Sequence, residues 1–281
     1  MVVKIVTDSL SDITGDLAQE LGVTVVPLYV RFGEEVYRDR VEITTEEFYR
    51  RLVSATDLPS TTQPTPNDFT EVFNNLAKET DEILVIVVSS KLSGTYQSAL
   101  QAKDSFKGEC RIEIVDSLSV AMGMGLIVIA AVKAVQAGAN LDEVAGLARG
   151  ARSRIRVIAY FDTLKYLAKG GRIGRAETLL GSMLSVKPIL TVSDGEMAPL
   201  TRVRSLNAGL DYLYNAAAGC SLIEGLAVEH GTTPDDADKL VERLSSLFPK
   251  ERIYRAVISP VIGTYAGPNA LALTILEAEK G

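Results

Sequence analysis

Serine and threonine hydroxyls gather at two places in this chain, and their setting suits the holding of an anion. The first is Ser89-Ser90-Lys91-Leu92-Ser93-Gly94-Thr95-Tyr96-Gln97-Ser98, which follows the apolar run 83–88 and leads into a helical pattern. The carboxyl end of a buried strand, where a helix begins, is where open α/β sheets expose ligand sites. Free backbone N–H groups at the start of a helix favour negative charge there. The second cluster is Ser60-Thr61-Thr62, just ahead of Gln63-Pro64-Thr65-Pro66. Each proline restricts the residue before it to extended backbone, so this loop is stiff and its hydroxyls are preorganised. Both clusters offer neutral hydrogen bonds rather than a cage of charges.

Other chemistries are less well supported. A serine acyl hydrolase or acyltransferase using Ser93 or Ser90 is the alternative reading, with Lys91 as the nearest base. The single histidine, His230, follows the expected strand 222–228 and reads as a surface-loop residue, and no G-x-S-x-G elbow accompanies it. A small-molecule sensor is a third reading. Two cysteines, Cys110 and Cys220, and one histidine give no zinc pattern without carboxylates, so no metal or other cofactor is expected. There is no Walker A motif and no G-x-G-x-x-G; Gly123 and Gly125 sit in an apolar helical context and serve close packing.

The elements that must carry these loops alternate. Strand patterns at 2–6, 23–30, 83–88 and 112–115 are interleaved with helices at 44–52 and 67–77, and with an apolar helix around 123–132. A helix opens at Asn140-Leu141-Asp142-Glu143, which has capping-box spacing. In the second half, strands are expected at 156–161, 222–228 and 252–259, and helices at 164–169, onward through Leu184, from Ser205 to Ala218, and from Pro234. Ser193-Asp194-Gly195 joins two strands as a hairpin. The tail from Gly263 reads as loop followed by an apolar segment. This alternation predicts an α/β protein with mainly parallel sheets.

The chain has 281 residues, a net charge of −7 and a pI near 5.0, which argues against nucleic-acid binding. No signal peptide is evident, and the longest apolar stretch is too short to span a bilayer, so a cytoplasmic protein without stable membrane insertion is expected. Against this acidic background, 149–175 carries eight basic residues and one acid, with Lys187, Arg202 and Arg204 close behind. Such a region is either a set of solvated helix faces or a docking surface for an acidic partner or phosphoryl group.

The ordered series Val6-Thr7-Asp8-Ser9, Thr61-Thr62-Gln63-Pro64-Thr65-Pro66, Ser89 to Ala99, Val115-Asp116-Ser117, Phe161-Asp162-Thr163-Leu164, Gly170-Gly171-Arg172-Ile173, Ser185-Val186-Lys187-Pro188 and Arg202-Val203-Arg204 resembles the DegV family of bacterial fatty-acid-binding proteins over essentially the full length. The resemblance implies a two-domain fold, 1–153 and 154–281, with a ligand site between the domains. It implies a carrier rather than an enzyme. A long-chain fatty acid is held by its carboxylate at Thr61 and Ser93, with Thr62 and Gly94 beside them, and its tail enters the second domain. It further implies a partner, a fatty acid kinase of the dihydroxyacetone-kinase type, with Arg172, Arg202 and Arg204 as residues for docking or phosphate contact. The family's late motif usually reads G-T-H-x-G-P-G, and here it is Gly263-Thr264-Tyr265-Ala266-Gly267-Pro268-Asn269. Tyr265 thus stands where a carboxylate-side histidine is common. A phenol can donate a hydrogen bond but cannot take up a proton near pH 7 as imidazole does.

Overall fold

A computed structural model describes residues 2–180 and 186–279. The expected helix running through Leu184 ends outside the described residues; before them, Gly174–Leu179 forms a 3₁₀ helix. The first half holds β1 (Lys4–Asp8), β2 (Val23–Val26), β3 (Tyr29–Phe32), β4 (Glu35–Arg38), β5 (Ser60–Thr62), β6 (Glu82–Val87) and β7 (Arg111–Asp116). Between them run α1 (Gly15–Leu21), α2 (Thr45–Ser54), α3 (Pro66–Leu76) and α4 (Thr95–Ser105). Then come α5 (Met122–Gln136) and α6 (Leu141–Ala151). The second half holds β8 (Ile155–Tyr160), α7 (Lys165–Lys169), β9 (Lys187–Ser193), β10 (Glu196–Val203), α8 (Leu206–Ala218), β11 (Ile223–His230), α9 (Pro234–Leu244), β12 (Ile253–Val257), α10 (Pro260–Ala266) and β13 (Leu271–Glu277).

Among the described residues these strands form three sheets. The first, in the order β2-β1-β6-β7, is wholly parallel, as the alternating pattern predicts. The second, β10-β9-β8-β13-β11-β12, is antiparallel except for the β11–β12 pair. Parallel pairing is therefore a property of the first half, and antiparallel pairing in the second goes well beyond the expected hairpin. The reason lies in the connections: β13, the last strand, inserts between β8 and β11 and runs against both. The third sheet, β4-β3-β5, is small and antiparallel. Pro27 divides the expected strand at 23–30 into β2 and β3, because it interrupts the ladder of donors.

The caps follow the sequence signals. Thr44 caps α2, Thr65 closes a capping box with Asp68 at α3, and Asn140 does the same with Glu143 at α6. The α5 helix is apolar all round and has no exposed residue from Met122 through Val132. A helix of that kind belongs in a core, and α5 packs on β1 and β6 of the first sheet and on β8, β11 and β13 of the second. No described helix is long and apolar enough to cross a membrane.

Two expectations are corrected. His230 ends β11 and is only 7% exposed, so it is a strand residue in the packed interior rather than a loop residue. The segment around Gly263 is helical: Pro260, in the first turn where its missing N–H costs nothing, starts α10 despite the glycine.

Candidate functional site

Thr61 and Tyr265 come together across the molecule. Thr61 sits on β5, held in extended geometry by its pairing with Val30 of β3. Tyr265 sits near the end of α10. Their hydroxyls share a hydrogen bond of 2.5 Å. The guanidinium of Arg172 lies over the Tyr265 ring, 5.1 Å from its centre, an arrangement stabilised by the ring's negative face. Arg172 is oriented by donating from Nε to the Leu92 carbonyl (3.3 Å) and from Nη1 to the Gly170 carbonyl (2.9 Å). Gly170 has no space for a side chain: a Cβ there would fall 2.3 Å from the Tyr265 ring.

The Leu92 carbonyl ties the first hydroxyl cluster to this group. The two hydroxyl-bearing loops also touch, since a Cβ on Gly94 would fall 2.5 Å from the Gln63 amide. Ser93 hydrogen-bonds the Thr95 hydroxyl (2.9 Å), and its Oγ also receives the Thr95 N–H (3.4 Å) at the start of α4. Ser89 is fully buried and donates to the Gly195 carbonyl (2.6 Å). Ser90 is exposed, and its N–H binds the Asp116 carboxylate. Neither the Lys91 amine nor the His230 imidazole hydrogen-bonds Ser90 or Ser93 among the described residues, so the geometry activates neither serine as a nucleophile.

Two cavities meet at Arg172 and Tyr265. One, of about 770 Å³ with its open side included, is walled mainly by apolar side chains from both halves of the chain. Leu10, Leu92 and Ala121 come from the first half, and Phe161, Val192 and Met197 from the second. Its floor is a face of the second sheet, where Ala159 and Ala272 stand side by side in register and leave room above them. The other cavity is polar and open, about 630 Å³, bordered by Ser60, Thr61, Tyr166, Lys169 and Thr264. Arg172 and Tyr265 border both. The arrangement is a greasy chamber with a polar mouth, and cations and hydroxyls stand at the junction.

The other expected site residues lie around this junction or away from it. Thr62 follows Thr61 on a strand, so its side chain points to the opposite face, and it is exposed. Ser93 and Gly94 flank the junction through Leu92 without bordering either cavity. Arg202, on the edge strand β10 opposite Pro188, and Arg204, just past its end, are exposed and border neither cavity. The basic region is less positive than its composition suggests. Arg149 pairs with Glu113, Arg154 with Glu224, Arg156 with Glu277, Arg175 with Glu196, and Lys187 with Asp162. Arg152, Lys165, Lys169, Arg172, Arg202 and Arg204 form no salt bridge among the described residues, and all but Arg152 lie on the second half. Lys169 was counted only as one of the basic residues of 149–175, and Tyr166 was not singled out by sequence reasoning; Tyr166 lies one turn ahead of Gly170-Gly171-Arg172, which was the available signal.

The chain is similar to known proteins over nearly its whole length. The family described as "Uncharacterised protein, DegV family" matches residues 2–278. A DegV domain-containing protein of Caldanaerobacter subterraneus subsp. tengcongensis is 38% identical over 276 residues, covering 95% of this chain and 96% of that protein. A DegV family protein from Thermus thermophilus, whose structure is described for its fatty acid binding, superposes with a TM-score of 0.92 at 33% identity, covering 99% of this chain and 100% of that one. DegV from Bacillus subtilis, described as a fatty acid binding protein, gives 0.87 at 27% identity, with 99% of this chain and 100% of that one covered.

Proposed function

The chain belongs to the DegV family, and from that premise we propose that it binds a long-chain fatty acid noncovalently. It would then present the carboxyl group to a separate fatty acid kinase of the dihydroxyacetone-kinase type, in the cytoplasm, for ATP-dependent acyl-phosphate formation. The observation that carries the binding reading is the junction of an aliphatic cavity with a polar mouth at Arg172 and Tyr265. In this reading the acyl chain fills the cavity. Its carboxylate meets Arg172 and the hydroxyls of Tyr265 and Thr61, with the Ser93–Gly94 turn alongside.

The energetics divide the labour. A C16-type chain buries on the order of 14 methylenes at about 0.8 kcal/mol each, and association and ordering costs offset much of that gain. Each neutral hydrogen bond adds only about 1 kcal/mol net. Affinity therefore comes from the tail and orientation from the head group, as suits a carrier whose cargo must stay reachable at one end. Arg202 and Arg204, exposed and away from both cavities, are the residues assigned to kinase docking. Arg172 is assigned to the carboxylate and to the phosphoryl group that is transferred onto it.

Denaturing extraction of the purified protein followed by mass spectrometry tests the binding reading. A stoichiometric, noncovalent fatty acid is expected, and an empty protein, or acyl mass retained on a serine, overturns it. The docking reading predicts that Arg202→Glu combined with Arg204→Glu weakens association with a cognate kinase while lipid content stays at the wild-type level. Unchanged association would reassign those arginines.

A further inference from the structure

One wall of the chamber is the end of a hairpin that overhangs its own sheet. β9 pairs with β8 through Ile189, Leu190 and Thr191. Beyond Thr191, among the described residues, β9 pairs with β10 alone, as far as Ser193 opposite Glu196, and Asp194 and Gly195 turn the chain with positive φ. Val192 and Met197 stand opposite each other in register, so they share a face, and both line the aliphatic cavity. At the base of the overhang the register of β10 shifts between Pro199 and Thr201, an irregularity of the kind at which strands bend.

Among the described residues, hydrogen bonds join the two halves around the chamber at three places. On the side of β11 and α10 there are four. The Met122 N–H donates to Glu229 (2.9 Å), the Tyr49 hydroxyl to the Ile258 carbonyl (3.1 Å), the Ser259 N–H to Asp12 (3.1 Å) and Arg40 to the Val257 carbonyl. At the mouth there are two, Thr61 with Tyr265 and Arg172 with the Leu92 carbonyl. The hairpin tip has one, from the buried Ser89 hydroxyl to the Gly195 carbonyl (2.6 Å). The seat is close, since a Cβ on Gly195 would collide with Ser89 Oγ. The tip is otherwise tied within its own half, by Arg175 to the Ser193 carbonyl (2.7 Å) and to Glu196 (3.2 Å). Arg175 is 47% exposed, and ion pairs in that setting contribute little.

The tip is therefore the least fastened wall. A chain entering through the mouth would carry methylenes past the Arg172 guanidinium and the Thr61 and Tyr265 hydroxyls, stripping them of water, which is unfavourable. Lifting the tip breaks a single hydrogen bond between the halves, and segments that move for ligands are those of low local stability.

We propose that the hairpin tip, 192–197, is a flap that swings away from Ser89 to let an acyl chain enter and leave the chamber sideways, while the carboxylate keeps to the Arg172–Tyr265 end. The proposal rests on the fatty-acid reading above.

The test uses the full chain carrying Cys110→Ser and Cys220→Ser, to which Ser89→Cys and Gly195→Cys are added, loaded with a fluorescent octadecatetraenoic acid. Its release into excess octadecanoic acid is followed by stopped flow, with the new cysteines oxidised and then reduced. The disulfide is expected to slow release by about tenfold or more, and reduction to restore it. Equal rates in the two states overturn the flap and leave the fatty-acid reading standing. A wild-type protein that binds neither acid overturns both. Should the disulfide not form, Ser89→Ala decides. With one hydrogen bond fewer in the closed state, loading and release are both expected to quicken by about fivefold while Kd holds. Unchanged rates, or a faster release with no faster loading, overturn the proposal.

Discussion

Tyr265 is the residue on which the site converges, since it touches Thr61, carries Arg172 on its ring and separates the aliphatic chamber from the polar mouth. Its hydroxyl and that of Thr61 form a pair, and a double-mutant cycle with Thr61→Val and Tyr265→Phe should return a coupling energy of about 1 kcal/mol in fatty-acid affinity. Strict additivity would mean that the two hydroxyls act separately on the ligand. The acids buried nearby give a second prediction. Burial raises Asp39 to about 7 from 3.8, although Arg40 and the Ser9 hydroxyl, which donates to it, both favour its ionised form. A carboxyl raised in this way holds its proton in the folded protein where the unfolded chain has lost it. Its contribution to stability is thus full below about pH 3.8 and is lost as the pH rises through about 7. Each proton held only in the folded state makes stability fall by about 1.4 kcal/mol per pH unit in that window. Asp39→Asn should flatten the decline measured by urea unfolding between pH 5 and pH 7; an unchanged slope would show that Asp39 does not hold such a proton.

The elements that place these residues were legible in proportion to how local their causes are. Helices α2, α3, α6, α8 and α9 carry their own caps or a proline at the start, and each was readable within two residues of its observed beginning. The three-residue strand β5 was read only as a stiff extended loop, because its pairing with β3 spans a distance in sequence that no local pattern encodes. Glu229 and His230 were placed outside the strand that carries them, since two polar residues after an apolar run look like its end; in the structure β11 continues through both. The Thr61–Tyr265 contact was foreseen only as far as both residues lie in motifs of one family, as its two halves are separated by most of the chain. Packing around α5 can be tested at this scale. A Cβ at Gly125 would fall 2.5 Å from the Ser11 carbonyl oxygen, which is backbone and cannot swing aside, whereas a Cβ at Gly146 in α6 meets nothing within 4 Å. Gly125→Ala should therefore cost about 1–3 kcal/mol despite alanine's higher helix propensity, and Gly146→Ala should stabilise by about 0.5–1 kcal/mol. Urea unfolding of the two variants gives both numbers, and similar values for both would contradict the tight seat assigned to Gly125.

Taken whole, the molecule has two main sheets, one parallel and one largely antiparallel, and a chamber walled by both halves of the chain. Ligand binding at a chamber of that kind stabilises the whole, and an acid present at a hundred times its Kd should add about 2.7 kcal/mol to unfolding. The helix α5 gives the arrangement a further property. It belongs to the first half by sequence, yet its buried surface is shared with β8, β11 and β13. A fragment ending at residue 153 would carry that helix with one apolar side stripped of its cover. Such a fragment should be recovered in aggregates, and the intact chain should melt in one transition rather than two. A gene fusion that borrowed only the front of this chain would, on that expectation, inherit a sticky rod.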